Sequence, residues 1–205
     1  MYAPEAFAIT EPAEIDAMLA RAGLGVLVTG GPSGFAATHM PFVFDAERRQ
    51  LRGHMARPNP QPLTGEGPAL VIFQGVHAYV SPGYYPSKAV HGRAVPTWNY
   101  EAVHVHGTVR FTDDQDWLRA NVAALTGRFE AGRPEPWSLA DAPADYVTRL
   151  LRGIIGVEIA IERIEAKRKL SQNKDAADRA GVIEGLAASG LGGDLDVARV
   201  MQRLE

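Results

Sequence analysis

The chain has 205 residues, 46% hydrophobic and 22% charged, with a formal net charge of −3 and a pI near 6.1. This is the composition of one globular domain with at most a small appendage, and it argues against a strongly basic nucleic-acid binder. The absence of cysteine excludes disulfides and thiolate metal sites. The first residues show no basic segment followed by an apolar one, and no apolar run approaches the roughly 20 residues of a membrane span, so a soluble cytoplasmic protein is expected.

Residues 11–22 read as a short helix: Thr10 can cap it, Pro12 suits its first turn, and Ile15, Met18 and Leu19 recur at helical spacing. Residues 24–29 form a short strand. The glycine cluster at 30–34 is a hairpin turn, because it lacks both the Lys-Ser/Thr ending and the following helix of a phosphate loop. Residues 35–44 form a second strand interrupted by Pro41, which points to an edge or a bulge, and residues 51–57 a third. The continuous apolar run at 69–74 reads as a central strand buried on both faces. Residues 77–81 form another strand, and 87–94 a mobile loop.

The longest β-forming stretch spans residues 95–112. As one strand it turns Val103, Val105, Val109 and Phe111 to the core and Trp98, Tyr100, His104, His106 and Thr108 the other way. An aromatic and polar face of that kind meets a ligand, a metal or another subunit. Thr112 then caps a helix, with Gln115 completing a capping box and Leu118, Val122, Leu125 and Phe129 on one face. Residues 145–152 form a short helix. Residues 154–164 alternate as a strand, and Lys167, Arg168 and Lys169 follow at its end. Residues 174–205 read as two helices joined by the glycines at 190–193. The first six of about seven strands lack crossover helices, so their order is antiparallel. The expected fold is β-rich α+β: an antiparallel barrel with peripheral helices over residues 1–173, and a C-terminal helical extension, 174–205, packed on or near it.

His104 and His106 share a strand face, as a Zn²⁺ or Fe²⁺ site would require, but the positions where an acidic ligand belongs hold Val109 and Arg110. The reading therefore favours histidines that hydrogen-bond a ligand or partner, with no metal. No G-x-S-x-G elbow is present for a nucleophilic serine. Arg57 beside Asn59 offers a guanidinium fork and amide donors of the kind a phosphate dianion takes. Ser171, Gln172 and Asn173 add polar groups after the basic run. Together with the aromatic face these suggest a flat, phosphorylated heteroaromatic ligand, and FMN fits that description.

Four runs, taken in order, resemble the PaiB-type FMN-binding negative transcriptional regulators: Thr38-His39-Met40-Pro41; Gly53-His54-Met55-Ala56-Arg57 with Asn59-Pro60-Gln61; Pro96-Thr97-Trp98-Asn99-Tyr100 with Val103-His104; and Lys169-Leu170-Ser171-Gln172-Asn173. The resemblance implies an antiparallel split β-barrel and a homodimer with FMN at the subunit interface. It implies that His39, with Thr38 and Met40, contacts the isoalloxazine. His54 with Met55, and Arg57, Asn59 and Gln61, would approach ring and phosphate. Trp98, Asn99, Tyr100, Lys169, Ser171, Gln172 and Asn173 would complete the pocket, some from the partner subunit. The chain departs from the family pattern at Pro62, where Trp is expected, and at Gly83-Tyr84-Tyr85, where Ser-Trp-Tyr is expected. The implied function is negative regulation of transcription. The alternative is an FMN-dependent oxidoreductase, with Lys169 near the ring stabilising reduced, anionic flavin. Direct DNA binding is left open, since no helix-turn-helix pattern is evident.

Overall fold

The structure, a computed structural model, describes residues 1–32 and 34–204. In chain order its elements are β1 (Ala8–Ile9), α1 (Pro12–Arg21), β2 (Leu24–Gly31), β3 (Gly34–Asp45), β4 (Gln50–Ala56), β5 (Gly67–Val80), α2 (Ser87–His91), β6 (Thr97–Thr112), α3 (Gln115–Glu130), α4 (Ala144–Leu151), β7 (Ile154–Lys169), α5 (Ala176–Ala188) and α6 (Gly192–Gln202). Ser33 of the expected hairpin turn and Glu205 of the expected last helix lie outside the described residues. The strands form one sheet in the order β1-β7-β4-β3-β2-β5-β6, and β6 also pairs with β7, which closes the ring. This is the antiparallel barrel expected from the strand pattern. Among the described residues, no helix is long and apolar enough to cross a membrane.

The chain divides into two compact units. One comprises Asp16–Phe73 and His104–Ile164, the other Met1–Ile15, Gln74–Val103 and Glu165–Glu205. The first, the barrel unit, contains β2, β3 and β4 with the adjoining parts of β5, β6 and β7. Leu27, Phe42, Leu51, Val71, Val105 and Ile159 fill its core, where Phe42 and Phe73 meet edge to face at 5.7 Å.

Pro41 does not mark an edge. β3 pairs with β2 from Gly34 to Pro41 and with β4 from Phe42 to Asp45, so the proline sits where the strand changes neighbours. A residue without an N–H does least harm there. The run at 69–74 is not buried on both faces. It is part of one long strand with 77–81, in which Ala69, Val71 and Phe73 point inward, followed by Ala78 and Val80. The inward parity changes across residues 74–76, as happens when one extra residue enters a strand. The cap of α3 is Asp114 rather than Thr112: its carboxylate accepts from Asp116 N at 2.9 Å and Trp117 N at 3.0 Å. The buried face of α3 carries Leu118, Asn121 and Leu125, while Phe129 is largely exposed. Arg128 fastens the far end of α3 by donating to Phe42 O at 2.6 Å, to Ala20 O at 2.7 Å and to Ala22 O.

The second, helical unit is built from β1, α2, α5, α6 and the remaining ends of β5, β6 and β7. β1 pairs with the end of β7, Ala8 opposite Lys167 and Ile9 opposite Ala166. The strand β7 thus extends five residues beyond 164, and the three expected trailing cations lie within it. Val80, Leu170, Val182, Leu186, Val197 and Met201 form one core shared by β5, α5 and α6. Residues 87–91 are not a mobile loop. They form α2, closed by Gly92 at φ 70°, and Ser87 ties the helix to α5 by donating its N–H (3.0 Å) and hydroxyl (2.7 Å) to Asp178.

Candidate functional site

In the barrel unit the alternation of β3 and β4 divides the expected ligand-binding residues by face. Met40 and Met55 point into the core, 2% and 4% exposed, and Thr38 shares the parity of Met40, while His39 and His54 take the opposite one. Beyond β4 the chain folds back as a short 3₁₀ turn, Gln61–Thr64. Asn59 donates to Thr38 Oγ1 at 2.9 Å and accepts from Gln61 N at 2.9 Å. Gln61 is buried and donates to Leu27 O (3.1 Å), Thr29 Oγ1 (3.1 Å) and Ala36 O (3.3 Å), while its Oε1 has no partner in the structure. Thr38, Asn59 and Gln61 therefore form one network that fixes the turn against β2 and β3. Arg57 uses Nε and Nη2 on the carbonyls of Arg152 (2.8 Å) and Ile154 (3.0 Å), so most of the expected phosphate fork is already engaged with backbone.

His54 pairs in register with Gly156, a position where a side chain would collide with Trp117 of α3. Its Nδ1 is buried without a hydrogen-bond partner, and desolvation lowers its pKa below the ordinary histidine value of about 6.5. Below that value the unfolded chain binds a proton that folded His54 resists. The stability contribution is therefore complete above about pH 6.5 and is lost as pH falls through the window beneath it. Urea unfolding between pH 7.5 and 5.5 is expected to show this loss, with a slope under the one-proton limit of about 1.4 kcal/mol per pH unit. In His54→Phe that part of the slope disappears. Identical slopes in the two proteins would refute the assignment.

In the helical unit the resemblance-derived residues on β6 and β7 lie close together. Asn99 is fully buried and exchanges hydrogen bonds with Ser171: Nδ2 to Oγ at 3.0 Å, and Oγ to Oδ1 at 3.3 Å. Ser171 holds a left-handed conformation, φ 64°, which costs a non-glycine residue on the order of 1 kcal/mol or more. Gln172 clasps the turn around it, accepting from Leu170 N and donating to Arg168 O, both at 2.6 Å. Lys169 Nζ donates to Thr97 Oγ1 and Trp98 O, each at 2.6 Å. Desolvation, helped by the like charge of Lys167, lowers the Lys169 pKa. Lys167 lies 5.1 Å from the centre of the Tyr100 ring and donates to Tyr2 O. Arg168, between the two lysines, pairs with Glu101 at 2.6 Å and with Glu14.

A cavity of about 190 Å³ opens among Asn99, Lys169, Ser171 and Asn173. It also brings in Tyr85, Thr97 and Lys174, which the sequence reading did not place among the ligand-binding residues. For Thr97 the missed signal was parity, since it lies two residues from Asn99 on β6. Trp98 takes the other parity. It is 54% exposed and meets the tilted His77 ring at 6.3 Å and the Tyr79 ring edge to face at 6.0 Å, an exposed aromatic cluster. The donors present suit a phosphorylated heteroaromatic ligand such as FMN. In the helical unit, ammonium and hydroxyl groups suit an oxyanion; in the barrel unit, His54 Nδ1 and Gln61 Oε1 are buried polar atoms without a hydrogen-bond partner.

Comparison with known proteins agrees with this chemistry. Residues 1–163 match the family described as "Putative FMN-binding domain". The chain is 35% identical over 190 residues to the protease synthase and sporulation protein PAI 2 of Bacillus subtilis, covering 91% of this chain and 89% of that one. It is 33% identical over 219 residues to an uncharacterized protein of Emericella nidulans, covering 87% of each. Among solved structures, the FAD and heme binding protein of Mycobacterium smegmatis shares the fold, with a TM-score of 0.61 at 20% identity over 90% of this chain and 80% of that one. The likeness is one of fold, that of the expected antiparallel split β-barrel.

Proposed function

This chain belongs to the FMN-binding domain family, and we propose that within it the protein acts as an FMN-dependent negative regulator of transcription, working as a homodimer. FMN is its cofactor. The observation that carries the regulatory reading is the 35% identity, along nearly the whole of both chains, to a protein named for protease synthesis and sporulation. When bound, FMN supplies a centre that can change oxidation state. Each unit offers its own set of candidate residues to hold and orient a flavin: Thr38, His39 and His54 in the barrel unit, and separately Trp98, Asn99, Tyr100, Lys169, Ser171, Gln172 and Asn173 in the helical unit.

The purified protein is expected to carry a flavin absorption spectrum or to acquire one on adding FMN. Failure to bind micromolar FMN would sink the reading. Deleting the gene is expected to raise a defined set of transcripts, and an unchanged transcript profile would count against regulation. Rapid mixing of the flavin-loaded protein with NADH or NADPH tests the alternative of an oxidoreductase: bleaching of the flavin favours it, and no bleaching with either disfavours it.

The exposed cluster of Trp98, His77 and Tyr79 is the proposed contact with the second copy. A central aromatic anchor of an interface contributes about 2 kcal/mol or more. Trp98→Ala is therefore expected to weaken dimerisation by about thirty-fold or more and to weaken FMN binding with it. Sedimentation and FMN titration showing both unchanged would remove this surface from the interface.

A further inference from the structure

We propose that the cavity of the helical unit is an oxyanion subsite that takes a phosphate monoester dianion. The inference deepens the flavin reading and rests on it for one of the two sources the dianion can have. Size comes first. At about 190 Å³ the cavity is smaller than the roughly 300–1,000 Å³ that encloses a whole cofactor-sized ligand, so it takes a terminus and not a ring system.

Charge comes next. Lys169 and Lys174 both line the cavity, and among the described residues no carboxylate does. On the same strand Arg168 is satisfied by two carboxylates, Glu101 and Glu14. Among the described residues, Lys169 donates to two neutral acceptors, Thr97 Oγ1 and Trp98 O, which take two of its three protons. Lys167, two residues away, adds charge of the same sign and itself donates to a carbonyl, Tyr2 O. Lys174 lies 5.0 Å from the centre of the Tyr85 ring. Asp178, the acid whose field reaches Lys174, is engaged by the N–H and hydroxyl of Ser87. A half-buried ammonium pair with neutral partners favours entry of an anion, since the charges would otherwise be desolvated without compensation.

The walls are arranged to match. Asn99 and Ser171 line the cavity, hydrogen-bonded to one another, and Ser171 is held there in a strained left-handed conformation by the clasp of Gln172. Strain that the surroundings over-determine is a mark of a working site. The other candidate for a phosphate, Arg57 with Asn59, has already directed its donors to backbone carbonyls and to Thr38.

The dianion can be the 5′-phosphate of FMN or that of a separate small phosphorylated molecule, and one set of titrations separates them. FMN and riboflavin are titrated into the full-length protein and into Lys169→Met, and orthophosphate is titrated into each with and without saturating flavin. If the cavity holds the FMN phosphate, the preference for FMN over riboflavin is about tenfold or more in the parent. That preference collapses toward one in Lys169→Met, and orthophosphate competes with FMN. If it holds a separate phosphate, the FMN-to-riboflavin ratio is unchanged, while orthophosphate binds the flavin-saturated parent and not the variant. Lys174→Met, at the cavity's other lysine, repeats the test where Lys169→Met does not fold. If neither the ratio nor orthophosphate binding responds to a lysine change, the subsite is overturned. A parent protein that binds no flavin removes the cofactor reading alone, and orthophosphate binding to parent and variant still decides the cavity.

Discussion

Replacing Gly107 with alanine is expected to destabilise the protein by about 3 kcal/mol or more, a fall in Tm of roughly 6–12 °C for a chain of this size. Gly107 lies on the inward face of β6, and a Cβ there would collide with the carbonyl oxygen of Ala160 on β7 and come within 3.1 Å of Ile159 Cγ2. The obstacle is backbone in a neighbouring strand, so no rotamer change relieves it. The position matters because β6 and β7 stand at the two ends of the strand series β7-β4-β3-β2-β5-β6, and their direct pairing closes the ring. A methyl at Gly107 pushes that seam apart. Gly127 in α3 serves as control: nothing lies within 4 Å of its added Cβ. Alanine there is expected to be neutral or to stabilise by about 0.5–1 kcal/mol through the helix interior. Thermal and urea unfolding without added flavin measure both. Equal midpoints for Gly107→Ala and the parent would mean that the close approach at the seam does not constrain the fold.

That seam was legible only in part from the sequence. The two-residue period of β6 assigned Val103, Val105 and Val109 to the core and Trp98, Tyr100, His104 and His106 to the other face, and the burial pattern follows it. A period of two survives any tertiary arrangement that leaves the strand regular. Where regularity fails, so does the reading: the parity change at residues 74–76 made one strand look like two. α2 was missed because its five residues have no room for a helical period, and its order comes from Asp178, 91 positions away. The same limit applies to the site. The runs at 96–100 and 169–173 flag Asn99, Lys169 and Ser171. That Tyr85 and Lys174 join them, and that Asn59 and Gln61 are occupied with Thr38, Leu27 and Thr29, follows from chain crossings that no local pattern encodes.

Loss of the Arg168 guanidinium is expected to cost as much as the seam or more. Arg168→Met leaves Glu101, only 8% exposed, with its buried carboxylate stripped of a partner at 2.6 Å. Removing one member of a buried pair typically costs about 3–5 kcal/mol, mostly as the penalty on the charge left behind. Glu14 adds less, because its side chain is 41% exposed and water screens it. Two further variants separate the causes. Arg168→Met combined with Glu101→Gln removes both charges, and it is expected to recover more than half of the loss, since a neutral amide is far cheaper to bury than an ion. Arg168→Lys keeps the charge but not the fork that reaches two carboxylates at once, so it is expected to fall between parent and Arg168→Met. Urea unfolding of the four proteins measures these differences. If the double variant is no more stable than Arg168→Met, the cost lies in lost packing of the arginine stem and not in the stranded carboxylate. Arg168 stands between Lys167 and Lys169 on β7, with Glu101 two residues from Asn99 on β6. This ion pair therefore sets the alignment of the two strand ends that line the cavity. Flavin or phosphate affinity should fall in Arg168→Met and return in the double variant together with stability.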